Sequence, residues 1–167
     1  MVFVITGDGK GKTTAAMGMV ARALGRALEC SVYQFIKEKP ENTGEFEVFN
    51  KLGVEWKNYG NGFTWNDENP VLTAEKCMLG WNEFKREALE GKTDLMILDE
   101  FTYVVENGYI QIDEIVNFIE SNRNKCGFPH VVFTGRRACS ELIDIADTVS
   151  EIKDIKHHGV AVKGIEY

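Results

Sequence analysis

Short apolar runs alternate with longer amphipathic segments along the whole chain. The runs have the length and composition of strands that are buried on both faces of a sheet. Six strands are predicted from them, at residues 2–6, 31–36, 54–59, 95–98, 130–133 and 148–152. A last strand is expected around residues 160–165.

Between these runs, apolar residues recur at the spacing of one helix face. The predicted helices cover residues 12–28, 45–52, 73–90, 113–122 and 139–146. Gly53 and Gly91 follow two of them and are typical helix stops. Strands that alternate with helices predict an α/β fold with a mostly parallel sheet and helices on both faces. Because no linker or repeat interrupts the pattern, a single domain over residues 1–167 is expected.

Composition narrows the class of protein. The chain has 167 residues, of which 44% are hydrophobic, and carries 19 basic and 26 acidic residues for a net charge of −7. This acidic balance disfavours binding to duplex nucleic acid. With neither an 18-residue apolar run nor a basic leader, no membrane contact is expected and a cytoplasmic location is predicted. The four cysteines form no CxxC pair, so we expect reduced thiols rather than a zinc site.

A glycine-rich stretch joins the first strand to the first helix, with the sequence TGDGKGKT at residues 6–13. Glycines allow successive N–H groups to point at phosphate oxygens, and the helix N-terminus adds positive charge. Lys12 is the expected cation for the phosphates, and Thr13 offers a hydroxyl to Mg²⁺. This is the phosphate-binding P-loop in its usual context; the alternative is a glycine-rich turn that only begins a helix.

The candidate nucleotide-binding residues are therefore those of the loop and three residues beyond it. Three of these assignments have an alternative: Thr14 is as well placed to start the helix, Arg22 to be solvated, and Arg136 to form a surface ion pair. The full set is Gly7, Asp8, Gly9, Lys10, Gly11, Lys12, Thr13, Thr14, Arg22 and Arg136.

The fourth predicted strand ends in two acids, Asp99 and Glu100. A carboxylate at the end of a strand beside the phosphate-loop strand can reach the nucleotide's Mg²⁺. The alternative is a strand end with two solvated acids. Together with Thr13, these acids are the predicted metal ligands, and the parts so far indicate a Mg·ATP site on a RecA-like P-loop NTPase fold.

Several segments resemble the P-loop family of ATP:cob(I)alamin (corrinoid) adenosyltransferases, in the expected order over nearly the whole chain. Beside the phosphate loop they are QFIK at 34–37, GFTW at 62–65, LDEFTY at 98–103, TGR at 134–136, ADTVSE at 146–151, KH at 156–157 and GIEY at 164–167. The resemblance implies that the cobalt of a reduced Co(I) corrinoid attacks the ribose 5′ carbon of ATP and that triphosphate leaves. It also implies that the terminal phosphate occupies the loop.

By the same resemblance, Phe63 and Trp65 lie beside the corrin and displace the lower axial ligand of Co(II), which eases its reduction. Without the resemblance, these two aromatic rings would be interpreted as packing residues of a loop. Lys12, Phe63 and Trp65 are thus the expected catalytic residues, and a flavoprotein electron donor and a homodimer are implied. Asp8 stands where better-known members have Asn, and some members carry an extension before the first strand.

Two other functions use the same generic parts. One is a P-loop nucleoside kinase, although the paired zinc cysteines of a thymidine-kinase-like lid are lacking. The other is an ATP-dependent regulatory switch. The nature of the acceptor and of the products distinguishes all three.

Overall fold

A computed structural model describes residues 1–36, 43–60, 69–157, 159–160 and 162–165. Twelve elements follow in chain order within these ranges: β1 Val2–Thr6, α1 Lys12–Leu24, β2 Cys30–Gln34, α2 Gly44–Lys51, β3 Glu55–Asn58, α3 Pro70–Glu90, β4 Leu95–Asp99, α4 Phe101–Glu106, α5 Ile112–Asn122, β5 His130–Thr134, α6 Ser140–Asp144 and β6 Thr148–Glu151.

The six strands form one sheet in the order β3-β2-β4-β5-β1-β6, and all neighbours are parallel. The α/β fold class predicted from the sequence is confirmed. One detail of the prediction is wrong: β4 does not lie beside the phosphate-loop strand β1, because β5 is inserted between them.

Helices cover both faces of the sheet. On one face, α1 and α2 pack through Ala16, Val20 and Phe49 in a cluster that includes the strand residues Val32 and Ile97. The other four helices pack in a second cluster, with Trp81, Phe101, Ile115 and Leu142 against Tyr33, Met96 and Phe133. Neighbouring strand residues thus enter opposite clusters, as expected for a sheet that is buried on both faces.

Most element bounds agree with the sequence patterns, and the differences have local causes. Helix α1 ends at Leu24 rather than at 28, because Gly25 begins a turn in which Ala27 has φ of 56°. Strand β2 ends at Gln34, and Ile36 adopts φ of 71°. Helix α3 begins three residues early because the Asn69 side chain accepts a hydrogen bond from Leu72 N–H and Pro70 occupies the first turn.

The strand expected around 160–165 is not formed at the described residues there, 160 and 162–165. Ile165 instead donates a backbone hydrogen bond to Val162 across a turn, and Gly164 has φ of 79°. Helix α4 was not predicted, since six residues directly after a strand give little periodicity. No helix in the described ranges has the length and hydropathy needed to cross a bilayer.

Candidate active site

The carboxyl ends of the parallel strands bring polar side chains to one edge of the sheet. All six strands end in such a residue after an apolar or partly apolar run, namely Thr6, Gln34, Asn58, Asp99, Thr134 and Glu151. Across the sheet, Gln34 is the register partner of both Asn58 and Asp99. In open parallel sheets ligands bind beyond the carboxyl ends of the strands, so this edge is the candidate site.

The phosphate loop leaves β1 at this edge and packs tightly against the chain that follows β6. Gly9 N–H donates to the carbonyl of Ile152 at 2.8 Å. A Cβ at Gly7 would lie 2.3 Å from the Ile152 carbonyl oxygen, and one at Gly9 would lie 2.7 Å from the Lys153 carbonyl oxygen. These two glycines are therefore required by close backbone approach as well as by the turn.

Gly11 has a different role, because a Cβ there would meet no atom within 4 Å. Its φ of 103° places it in a left-handed conformation immediately before α1, and its carbonyl accepts the first bond of the helix from Ala15 N–H at 2.8 Å. The loop thus delivers the N-terminus of a 13-residue helix to the edge of the sheet, where its N–H groups favour an anion.

Lys12 reaches back over the loop that precedes it. Its side chain is almost fully buried, and Nζ donates to the carbonyls of Gly7 at 2.8 Å and Gly9 at 2.7 Å. Burial lowers the pKa of Lys12 below its usual value, while the nearby carboxylates, Glu100 foremost, act in the opposite direction. The ammonium is therefore held at the concave side of a loop whose geometry suits phosphate oxygens.

Asp99 is completely buried, and three side-chain hydrogen bonds to it are described. Oδ1 accepts from Thr13 Oγ1 at 2.9 Å and from Thr134 Oγ1 at 2.7 Å, and Oδ2 accepts from Gln34 Nε2 at 3.1 Å. The Thr13 contact joins the phosphate loop to the acidic strand end, even though β5 separates β1 from β4. Helix α1 bridges that distance, since it contacts β1, β5 and β4.

Glu100 turns the chain out of the sheet directly after Asp99. Its φ of 60° is left-handed, and its N–H donates to Thr134 Oγ1 at 3.0 Å. The carboxylate is close enough to raise the pKa of Lys12, against the larger effect of burial. Both predicted acids thus face the phosphate loop, but only Asp99 contacts Thr13 through a hydrogen bond among the bonds described.

The remaining predicted residues are not all brought to the loop. Arg136 is exposed. Its positive charge is a smaller cause, next to burial, of the lowered pKa of Lys12, so Arg136 lies near the phosphate loop. Asp8, Lys10 and Thr14 are exposed at the loop and the first turn of α1. Arg22 lies in the last turn of α1, about 15 Å from Lys12 along the helix axis, so its backbone is not brought to the phosphate loop.

Phe63 and Trp65, expected beside the corrin, lie outside the described residues. Thr134, Gln34 and Asn58 contribute to the site but were not identified as site residues from the sequence. The signal for them was present, because each is the polar residue that ends an apolar or mixed strand. Their role depends on which strands are neighbours, and that order is a property of the fold.

The donor set at the edge fits Mg²⁺. Thr13 and Asp99 offer hydroxyl and carboxylate oxygens, which are the ligands that Mg²⁺ prefers, and the metal commonly takes its other ligands from water and substrate phosphates. In the part of the chain that is described, no group of three or more His, Cys, Asp or Glu side chains could hold a metal ion by itself. A metal here would be shared with a nucleotide.

Comparison with known proteins gives one consistent family. The family model described as ATP:corrinoid adenosyltransferase BtuR/CobO/CobP matches residues 1–167. The corrinoid adenosyltransferase CobA of Salmonella typhimurium is 39% identical over 171 residues, covering 100% of this chain and 85% of its own length. Corrinoid adenosyltransferases of Escherichia coli K12 and Pseudomonas aeruginosa are 37% and 35% identical over all of this chain and cover 85% and 83% of their own lengths. This chain is therefore a member of the ATP:corrinoid adenosyltransferase family.

Proposed function

We propose that this chain transfers the 5′-deoxyadenosyl group of ATP to the cobalt of a reduced Co(I) corrinoid and releases triphosphate. Membership of the family over the full chain supports this reaction. The observation that carries it in this structure is the hydrogen bond from Thr13 to Asp99, which unites the phosphate loop and the acidic strand end in one site.

The reaction needs no general base. The electron pair of Co(I) forms the Co–C bond to the 5′ carbon of ribose, and the C5′–O bond breaks with its electron pair on the triphosphate oxygen. The protein must therefore bind a leaving group whose negative charge increases as the bond breaks. Lys12 and the N-terminus of α1 are placed to do so, and Arg136 lies on the same side.

Thr13, Asp99 and Glu100 are proposed to hold Mg²⁺ together with the phosphates. The ion supplies positive charge that stabilises the leaving polyphosphate. The residues of this chain would fix where that charge lies, because Asp99 is buried and three described hydrogen bonds orient it. The terminal phosphate is proposed to occupy the loop, with the ribose directed away from it.

Phe63 and Trp65 are proposed to line the corrinoid and to displace the lower axial ligand of Co(II). A one-electron donor of the flavoprotein class, a homodimer and a cytoplasmic location complete the proposal. These parts are inferred from the resemblance and the sequence.

An anaerobic assay with chemically reduced cobalamin and Mg·ATP tests the reaction. We expect the corrinoid spectrum to change to that of the adenosylated form while intact triphosphate accumulates in equal amount. ADP together with a phosphorylated nucleoside would instead indicate a kinase. ADP and phosphate without a corrinoid change would indicate a regulatory switch.

Trp65→Ala tests the role of the aromatic loop. We expect turnover that starts from Co(II) to fall by at least tenfold, because the lower ligand is no longer displaced, while turnover from preformed Co(I) changes by less than threefold. Trp65→Phe is the matched control, since it restores an aromatic surface. Equal losses in the two assays would contradict the proposed role of this ring.

A further inference from the structure

Three register partners at the carboxyl edge form a continuous line of side-chain hydrogen bonds. Gln34 Nε2 donates to Asp99 Oδ2 at 3.1 Å, and Asn58 Nδ2 donates to Gln34 Oε1 at 3.3 Å. Gly60 N–H in turn donates to Asn58 Oδ1 at 3.1 Å. The line therefore runs from a backbone N–H beyond β3, through two amides, to the buried carboxylate of the nucleotide site.

The two ends of this line fix its direction. A backbone N–H can only donate, and an ionised carboxylate can only accept. Between them, each amide must accept through its oxygen on the side of Gly60 and donate through its nitrogen on the side of Asp99. Both amide orientations follow from the chemistry of the ends, and a change at one position must be transmitted to the next.

Burial makes the loss of any hydrogen bond in this line costly. Asp99 is completely buried and Gln34 is 1% exposed, so neither can readily replace a lost partner with water. The other carboxylate oxygen, Oδ1, is held by the hydroxyls of Thr13 and Thr134. Among the described contacts, the amide of Gln34 is thus the one that holds the second carboxylate oxygen, Oδ2.

We propose that Gln34 and Asn58 are positioning residues for Asp99, which orient its carboxylate for the Mg²⁺ that accompanies ATP. This rests on the nucleotide-binding part of the proposed function and does not involve the corrinoid. Asn58 lies two strands away from Asp99 in the sheet order β3-β2-β4, and its described side-chain bond in that direction is to Gln34, so we expect it to act through Gln34.

The substitution Asn58→Asp reverses the line. The new side chain still accepts from Gly60 N–H, but it has no N–H for Gln34 Oε1. The Gln34 amide is expected to turn over and donate to the new carboxylate, and its oxygen then faces Asp99 Oδ2. Two acceptors in contact repel each other, so Asp99 loses its orientation although residue 58 does not touch it.

Calorimetric titration with ATP, at saturating Mg²⁺ and with EDTA, tests this in the absence of corrinoid. We expect Asn58→Asp to weaken Mg²⁺-dependent ATP binding about tenfold, the loss of roughly one charged hydrogen bond. Binding without Mg²⁺ should change by less than twofold. Asn117→Asp, the same chemical change at an exposed position of α5, should leave both unchanged.

A double-mutant cycle gives the deciding result. Gln34→Met removes the amide and keeps the volume, and in that background Asn58→Asp should weaken binding by less than twofold. Asn58→Ala, which removes the donor without adding charge, should show a smaller loss of Mg²⁺-dependent binding in the same sense and serves if Asn58→Asp does not fold. The proposal would be overturned if the substitutions at Gln34 and Asn58 weakened ATP binding by factors that simply multiply in the double variant. It would also be overturned if the loss of ATP affinity were equal with and without Mg²⁺.

The result is separable from the fate of the adenosyl-transfer reaction. If the corrinoid assay fails while the cycle shows coupling, the positioning role stands and the acceptor is wrong. If adenosyl transfer proceeds and the cycle shows no coupling, the positioning role is wrong and the reaction stands.

Discussion

Lys12 combines two features that normally oppose each other, a buried position and a positive charge. Burial of an ammonium is costly unless the group is hydrogen-bonded, and here the carbonyls of Gly7 and Gly9 accept from it at 2.7–2.8 Å. The nearby carboxylates Asp99, Glu100 and Asp8 favour the charged form. The loop therefore holds a cation in place before any phosphate is bound, so that little reorganisation is needed on binding.

Lys12→Ala removes this charge and both of its hydrogen bonds. We expect ATP affinity to fall by at least about 100-fold, which corresponds to about 2.7 kcal/mol, within the range for hydrogen bonds of charged groups. Adenosyl transfer should become undetectable at ATP concentrations that saturate the unsubstituted enzyme. Lys51→Ala on the exposed side of α2 is the control, and a similar loss in both variants would contradict the assignment.

Thr134 holds the two acids of the strand end in their relative positions. Its hydroxyl donates to Asp99 Oδ1 and accepts from Glu100 N–H, and the residue is completely buried. Thr134→Val keeps the shape but offers neither interaction. We expect the free energy of unfolding to fall by about 1–3 kcal/mol, with weaker Mg·ATP binding. Thr134→Ser should restore most of both quantities in urea unfolding and titration, and failure of this rescue would show that the hydroxyl alone does not account for the loss.

At the scale of elements, the phosphate loop depends on the chain after β6. Gly9 N–H bonds to the Ile152 carbonyl, and Ile152 N–H bonds to the Thr6 carbonyl at 2.8 Å. The loop is thereby continuous with the ladder between β1 and β6. The chain that follows β6, the outermost strand next to β1, thus stabilises the conformation of the phosphate loop by backbone hydrogen bonds.

Substitutions at two glycines, Gly9 in the phosphate loop and Gly18 in α1, distinguish the effect of the close contact between the loop and residues 152–153 from a general effect of alanine on the protein. Gly9→Ala should distort the loop, because its Cβ would lie 2.7–2.8 Å from backbone atoms of Ile152 and Lys153. We expect a loss of stability of about 1–3 kcal/mol and at least tenfold weaker ATP binding. Thermal unfolding and titration measure the two effects.

Gly18→Ala is the matched control within α1. A Cβ at Gly18 would meet no atom within 4 Å. The residue is exposed to solvent and lies in the middle of α1, away from both ends. Alanine should therefore stabilise the protein by about 0.5–1 kcal/mol through helix propensity, with ATP binding unchanged. If Gly9→Ala behaved like Gly18→Ala, the close contact of the loop with residues 152–153 would not matter for the site.

The sequence predicts the elements best where local signals are strong. The P-loop between β1 and α1 and the apolar run that ends at Asp99 are local patterns. In the structure Thr13 donates a hydrogen bond to Asp99, while Lys12 donates to carbonyls of the loop itself. Helix α3 begins earlier than its apolar spacing indicates because an Asn-Pro pair caps it. That capping signal is present in the sequence, and it places the start of the helix before the first periodic apolar residue.

The rest of the site depends on strand order, which no local pattern contains. Gln34 and Asn58 are 24 residues apart and become partners only because β3 pairs with β2. Likewise, the sequence suggested that β4 adjoins β1, whereas β5 is inserted and contributes Thr134 between Thr6 and Asp99. Such contacts follow from the path of the crossovers, so they could be found only in the folded structure.

At the scale of the whole molecule, the end of the sheet opposite the active site is tied together by Asp147. Its carboxylate accepts from Val2 N–H at 2.6 Å and from Arg123 Nη2 at 2.6 Å. Arg123 also donates to the Ile145 carbonyl at 2.7 Å. These contacts join the start of β1, the end of α5 and the chain that leads into β6.

The contribution of the Asp147 contacts should be visible in how the free energy of unfolding depends on pH. The hydrogen bond from Val2 N–H, aided by Arg123, lowers the pKa of Asp147 below its usual value. A carboxyl group whose pKa is lower in the folded state stabilises the fold above its unfolded pKa of about 3.9, and that contribution is lost as the pH falls through the folded pKa. Asp147→Asn should therefore reduce the free energy of unfolding at pH 7 by about 1 kcal/mol, a small value because the group is exposed.

As the pH falls from about 4 toward the lowered pKa of Asp147 in the folded state, the difference between the unsubstituted protein and Asp147→Asn should shrink, because the carboxyl group takes up a proton and becomes neutral like the amide. Urea unfolding between pH 7 and pH 3 measures it, with Asp144→Asn on the exposed side of α6 as a control for the loss of one negative charge. A difference that stayed constant down to pH 3 would mean that the carboxylate charge does not contribute and that shape alone anchors the strand. A difference equal to that of Asp144→Asn would mean that only net charge matters, since the contacts to Val2 and Arg123 are what distinguish the two positions.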